Sequence, residues 1–152
     1  MALYLVRHAK AGSRSRWEGP DEDRPLTDAG WAQANALVTR FADVPVSRLL
    51  ASPYLRCRQT LAPLAQDAAL DVEVSAALAE GGRFEAVLAM LDALPEHAVL
   101  CSHGDVIPDT IDALVRRGMT IDGEPEWRKA SIWVLDRGRI GMLRAHAEPP
   151  PL

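Results

Sequence analysis

Long apolar runs are missing from this 152-residue sequence. None approaches the roughly 20 residues that a membrane helix requires. The opening stretch Met1 to Val6 is interrupted by Arg7 and His8 too early for a secretory leader, so a cytoplasmic chain is expected. Cysteine is scarce as well. Cys57 and Cys101 lack metal-ligand spacing and fall in segments that read as helix and buried strand, which makes them reduced packing residues. A zinc-stapled or disulfide-knotted scaffold is thereby excluded, and no metal or other cofactor is expected. An excess of basic charge is also lacking: 17 Lys and Arg stand against 21 Asp and Glu, a formal net charge of -4. General binding to nucleic acid or to a membrane surface is disfavoured, and any anion site must be local. With 48% apolar and 25% charged residues, the composition is that of one globular domain with its own core.

Along the chain, Ala2 to Val6 reads as a strand buried on both faces. Residues 10–25 carry Gly12, Gly19, Pro20 and Pro25 among many charges and read as a surface loop. Thr27 is placed to cap a helix from Asp28, with Trp31, Ala34, Leu37, Val38 and Phe41 on one face. A strand at Val46 to Ala51 leads through Ser52-Pro53 into a helix from Tyr54 to about Asp67, which puts Arg56 in a first helical turn. A brief strand at Asp71 to Val74 and a loop at Glu80-Gly81-Gly82 precede a helix from about Phe84 to Leu94. Ala98 to Cys101 reads as a further buried strand, followed by a helix turning Ile111, Leu114 and Val115 inward. Two strands, Ser131 to Asp136 and Arg139 to Ala145, are expected to join at Arg137-Gly138. Trp31 and Trp133 are assigned to the core, and Arg58, His97 and His146 to the surface. The domain is drawn over residues 1–146, with 147–152 as a disordered tail.

The alternation of strands and helices implies an α/β fold, a three-layer sandwich whose mostly parallel central sheet carries helices on both faces. Polar groups follow three of the strands: Arg7-His8, Ser52 through Arg56, and Ser102-His103-Gly104. In such a sheet these exits share one edge, the edge at which ligands bind. Two arginines and two histidines converging there make an anion pocket suited to a phosphoryl group.

Leu5-Val6-Arg7-His8-Ala9 resembles the Arg-His-Gly signature of the histidine phosphatase superfamily, with Ala9 where glycine is commoner. Ser52-Pro53-Tyr54-Leu55-Arg56-Cys57-Arg58-Gln59-Thr60 and Ser102-His103-Gly104 are similar to that family's Ser-Pro-x-x-Arg-x-x-Gln-Thr segment and second histidine motif. The short chain is most like the small SixA-type phosphohistidine phosphatases. Arg7 to Arg16, Val106 to Asp109 and Arg128 to Leu135 are also similar to the phosphatase-like domain fused to actinobacterial Nudix hydrolases. The resemblance implies the phosphoglycerate mutase-like fold. It also implies a metal-independent phosphatase in which His8 attacks phosphorus and becomes a phosphohistidine that water hydrolyses. Arg7, Arg56 and His103 would hold the three equatorial oxygens, preorganised for the charge of the transition state. His103 would act protonated beside that dianion. His8 would act neutral, its other ring nitrogen bonded to a backbone carbonyl.

The proton donor implied by the resemblance is Glu80, in Leu78-Ala79-Glu80, with Asp105 as the alternative. Between Arg7 and Arg16 the basic residues Arg7, Lys10, Arg14 and Arg16 meet no acid. Lys10, Ser13, Arg14, Arg16, Asp105 and Arg128 are therefore the candidate substrate-binding positions. The expected substrate is a phosphohistidine on a protein, with a small phosphorylated metabolite or nucleotide as the alternative. A phosphate-binding regulatory domain without turnover is the non-enzymatic alternative.

Overall fold

The first apolar run forms strand β1 (Ala2–Arg7), and in the computed structural model, which describes all 152 residues, it lies near the middle of the sheet. The elements that follow are α1 (Asp28–Arg40), β2 (Leu49–Ala51), α2 (Leu55–Ala68), β3 (Val72–Val74), α3 (Phe84–Ala93), β4 (Val99–Ser102) and α4 (Val106–Arg116). Three strands complete the fold: β5 (Thr120–Ile121), β6 (Ile132–Gly138) and β7 (Gly141–Glu148). The sheet order is β3-β2-β4-β1-β6-β7-β5. β3, β2, β4 and β1 are parallel, β6 is antiparallel to both β1 and β7, and β5 runs parallel to β7.

Strand alternation divides the core between the two faces. Leu3 and Leu5 of β1 join Leu100, Trp133 and Leu135 under Leu91 of α3 and Ile111 of α4. Tyr4 and Val6 point the other way, to Val99, Cys101 and Ile132 under Leu37 of α1 and Leu61 of α2. Both faces are covered, so β1 must be apolar at successive positions, and each fully buried leucine contributes roughly 1.5–3 kcal/mol. Register between β1 and β4 pairs Val6 with Cys101 and Arg7 with Ser102, which brings the first and third polar exits side by side.

α1 fixes the chain just beyond β1. Thr27 Oγ1 accepts the Gly30 amide at 3.1 Å and donates to the Lys10 carbonyl at 3.2 Å. A Cβ on Gly30 would stand 2.0 Å from that same carbonyl oxygen, so only glycine allows this approach.

Several sequence expectations are corrected. β2 starts at Leu49, three residues after Val46, because residues 45–48 form an irregular approach to the sheet. Arg137 and Gly138 belong to β6, and the hairpin turns at Arg139 and Ile140. β7 continues to Glu148, past the expected boundary at residue 146, and Arg40 of α1 forms an ion pair with that glutamate. Val115 is exposed rather than inward, since Ile111 and Leu114 already fill the buried face of α4. Trp133 is core, whereas Trp31 is half-buried against the small cluster that holds Ala9. The two-residue β5 has too little pattern to be read in sequence.

Candidate active site

The parallel order β2-β4-β1 sets the three polar exits next to one another. His8 follows β1, its amide bonded to the Ser102 carbonyl at 3.0 Å, and Ser52 follows β2, its amide bonded to the Cys101 carbonyl at 3.1 Å. The His8 and His103 rings meet edge to face with centroids 5.5 Å apart. His8 Nδ1 lies 2.8 Å from the Ala9 carbonyl. A carbonyl only accepts, so Nδ1 carries the proton and Nε2 keeps its lone pair. Alanine fits at position 9 without strain: its φ is negative, it is fully buried, and its amide donates to Thr60 Oγ1 at 2.9 Å. Thr60 in turn donates to the Arg56 carbonyl at 2.7 Å, tying the His8 exit to the helix that carries Arg56.

Burial pushes the His8 imidazole down to about 3 from an ordinary 6.5; its bond to Ala9 opposes the shift, and the charges of His103, Arg56 and Arg7 add to it. His8 is therefore neutral across the physiological range. Between pH 3 and 6.5 the unfolded chain binds a proton at His8 that the folded chain does not. Stability from this group is full above pH 6.5 and declines as pH falls toward 3. From about pH 7 to about pH 5 the loss is about 2 kcal/mol, and urea unfolding of His8→Asn at both pH values should show that increment gone. An unchanged pH slope in the variant contradicts the buried neutral state.

Arg7 reaches across the exit and donates from Nη1 to the Trp127 carbonyl at 2.7 Å. A Cβ on Gly104 would lie 2.7 Å from the Arg7 guanidinium carbon, so the glycine after His103 leaves that arginine its place. Arg56 is wholly buried, donating to the Asp21 carbonyl at 2.9 Å and to Asp21 Oδ2 at 3.1 Å, with Glu80 Oε2 at 3.6 Å. His103 Nε2 shares a hydrogen bond with Ser52 Oγ at 2.8 Å and has Cys57 Sγ at 3.6 Å. Three buried side-chain nitrogens have no partner: Arg7 Nε, Arg56 Nε and His103 Nδ1. Each such buried polar atom costs about 1–3 kcal/mol unless something pairs with it.

A cleft of about 600 Å³ opens over His8. Lys10, Ser13, Arg14, Glu80 and Asp105 line it with Arg7 and His8. Ser102 Oγ donates to the Leu78 carbonyl at 2.7 Å and so anchors the Glu80 loop to β4. Asp105 caps α4, its two oxygens accepting the Val106 and Gly81 amides at 2.8 Å each. Glu80 Oε1 accepts from Arg14 at 2.9 Å. Arg16 is exposed on the loop and does not line the cleft. Arg128 lies outside this cleft, in an adjoining one, and is paired with Glu126 at 2.5 Å.

Sequence reasoning missed Asp21. Asp21 accepts from Arg24 and Arg56; burial raises its pKa, but those bonds hold it below the ordinary aspartate value. Nothing in a loop of mixed charges singles out one carboxylate, and only the folded path carries it to Arg56.

An α/β sheet thus gathers two histidines and two arginines at the exits of adjacent parallel strands, on one edge. Residues 3–88 match the model of the histidine phosphatase superfamily (branch 1), and the chain belongs to that family. It is 35% identical to the 8-oxo-(d)GTP phosphatase of Mycolicibacterium smegmatis over 98% of this chain and 48% of that protein. The chain thus spans about half the length of that curated relative. A candidate phosphohistidine phosphatase SixA from Nakamurella multipartitia is 28% identical with a TM-score of 0.71, covering 99% of this chain and 97% of that one. The protein histidine phosphatase SixA complexed with tungstate shares the fold, with a TM-score of 0.76 at 23% identity over 97% of this chain and 94% of that one. No helix is long and apolar enough to cross a membrane.

Proposed function

We propose that the chain hydrolyses phosphorylated small molecules through a phosphohistidine on His8 Nε2. The observation that carries this reading is the set of unpartnered buried donors, one each on Arg7, Arg56 and His103, around a neutral histidine whose Nε2 is free. His8 attacks phosphorus in line while Arg7, Arg56 and His103 hold the equatorial oxygens. The leaving oxygen takes a proton from Glu80, and water then cleaves the nitrogen–phosphorus bond to release orthophosphate and restore His8. The positive charge that the transition state requires comes from the side chains themselves, and the mechanism calls on no metal.

Glu80 is favoured over Asp105 as donor: both Asp105 oxygens accept backbone amides, whereas only Oε1 of Glu80 accepts a hydrogen bond, from Arg14, and its Oε2 stands 3.6 Å from Arg56 and accepts none. A small-molecule substrate is supported by the unneutralised cations of the cleft and by the kinship to the M. smegmatis phosphatase. A protein-borne phosphohistidine is the second reading, supported by the SixA likeness and by an active-site cleft open to solvent. Phosphate release in EDTA from a phosphohistidine protein, a nucleotide panel and p-nitrophenyl phosphate separates the two. Silence on all of them, with phosphate still bound, sinks both. In the same assay Glu80→Gln should slow turnover of a nucleoside monophosphate, whose leaving group is an alkoxide, by about 100-fold, and turnover of p-nitrophenyl phosphate and phosphohistidine far less, since nitrophenolate and imidazole leave easily. Equal losses remove Glu80 from the donor role.

A further inference from the structure

Beyond His8 the cleft meets a second concavity of about 500 Å³, and Arg7, Lys10 and Lys129 line both. Most charges nearby are already paired. Arg14 holds Glu80, Arg24 and Arg56 hold Asp21, and Arg128 holds Glu126. Arg7, Lys10 and Lys129 enter none of the ion pairs of the molecule. The Lys129 ammonium is held below the ordinary lysine range, first by burial and then by Arg7, Arg24, Lys10 and Arg56. Like charges forced together in this way repel one another in the folded protein, and a bound anion relieves them.

The backbone holds both lysines in place. Lys10 is pinned by its amide to Gln33 Oε1 at 3.0 Å and by its carbonyl to the Thr27 amide at 3.0 Å. Next to Lys129, Ala130 adopts the left-handed region with φ 67° and shares its amide between the carbonyls of Arg7 at 3.1 Å and His8 at 3.2 Å. An alanine stays in that strained conformation only where its surroundings demand it. Together these bonds fix Lys10 and Lys129 to the segment that carries His8.

We propose that Lys10 and Lys129 form a second phosphate subsite, which holds the inner phosphate of a phosphoric anhydride while the terminal phosphoryl group meets His8. The inference rests on His8 as the phosphoryl acceptor. As the bond from His8 Nε2 to phosphorus forms, the bond from that phosphorus to the bridging oxygen breaks. The inner phosphate departs with the electron pair, its new charge stabilised by the two ammonium groups. Water then cleaves the nitrogen–phosphorus bond, giving orthophosphate and one proton and returning His8 to its neutral form. The anhydride is carried by a nucleoside or is inorganic, and the shared chemistry is the diphosphate.

The test compares ADP and inorganic pyrophosphate with p-nitrophenyl phosphate in the wild type, Lys10→Met and Lys129→Met. The anhydride-to-monoester ratio of kcat/KM should fall about tenfold or more in each variant, with the loss shared between KM and kcat, since the lysines hold both the bound diphosphate and the departing phosphate. An unaltered ratio overturns the subsite, as does an equal loss on both substrate types. Calorimetry on His8→Ala supplies an arm that needs no turnover. Imidodiphosphate should bind about tenfold tighter than orthophosphate, and adding Lys129→Met should abolish the difference. Equal affinities would overturn the subsite even where a phosphoenzyme forms on His8. Failure to trap that phosphoenzyme would defeat the His8 reading and leave the binding result standing.

Discussion

His8→Ala is expected to lower phosphate release by at least about 10⁴-fold, because no other nucleophile in the cleft stands free to replace it. Arg7, Arg56 and His103 remain in the variant, so substrate still binds and the loss falls on kcat. The phosphoenzyme should disappear with it. In the wild type, quenching with labelled substrate should trap an acid-labile, alkali-stable phosphoramidate. The imidazole is nearly buried, and its removal also leaves the Ala9 carbonyl without its partner. His8→Gln therefore serves as the companion variant that keeps bulk and a donor at that position. If either folded variant turns substrate over at more than a hundredth of the wild-type rate, the covalent mechanism is wrong.

Arg56→Lys should lower kcat/KM by about 10²–10³, the usual result of removing one preorganised donor from a developing oxyanion. The charge survives in this variant but the planar fork does not, and that fork donates to both the carbonyl and the carboxylate of Asp21. The substitution should also destabilise the fold by about 3 kcal/mol, as the buried contacts to Asp21 are broken. Asp21→Asn separates the two effects. It weakens the ion pair yet leaves the guanidinium in place, so stability should fall while kcat/KM changes by less than about tenfold. Should Asp21→Asn damage turnover as severely as Arg56→Lys, Arg56 is holding the loop rather than the phosphoryl group. Thermal melts and initial rates on the same preparations decide between these outcomes.

The places where the sequence was legible share a physical basis. Local chemistry marked the termini of β1, α1 and α2: charge stops an apolar run, a threonine caps a helix, and Ser52-Pro53 opens the next helix. Two-faced burial left β1 and β4 as continuous apolar runs, and the polar residues after them had to emerge at the strand ends. The gathering of Arg7, His8, Arg56 and His103 at one edge of the sheet was readable for this reason. The C-terminal strands were harder. β5 has two residues, and the β6–β7 turn carries no strong turn signal, so its position shifted by two residues.

Charge pairing could not be read at all. In the sequence Arg14, Arg16 and Arg128 look like Lys10, yet in the fold Arg14 is paired to Glu80 and Arg128 to Glu126, and Arg16 does not line the cleft. Cys57, expected as simple packing, lies 3.6 Å from His103 Nε2. What the sequence by itself determined was the layered sheet, the strand exits and the residue types delivered there, because these follow from hydrophobic period and from local capping and turn chemistry. Only the tertiary structure decided which cations stay free, which carboxylate holds Arg56 and which nitrogen of His8 keeps its lone pair. Those outcomes depend on groups as far apart in sequence as Asp21 and Arg56, or Arg7 and Trp127, and a chain brings such groups within a few ångströms only when its core has closed around them.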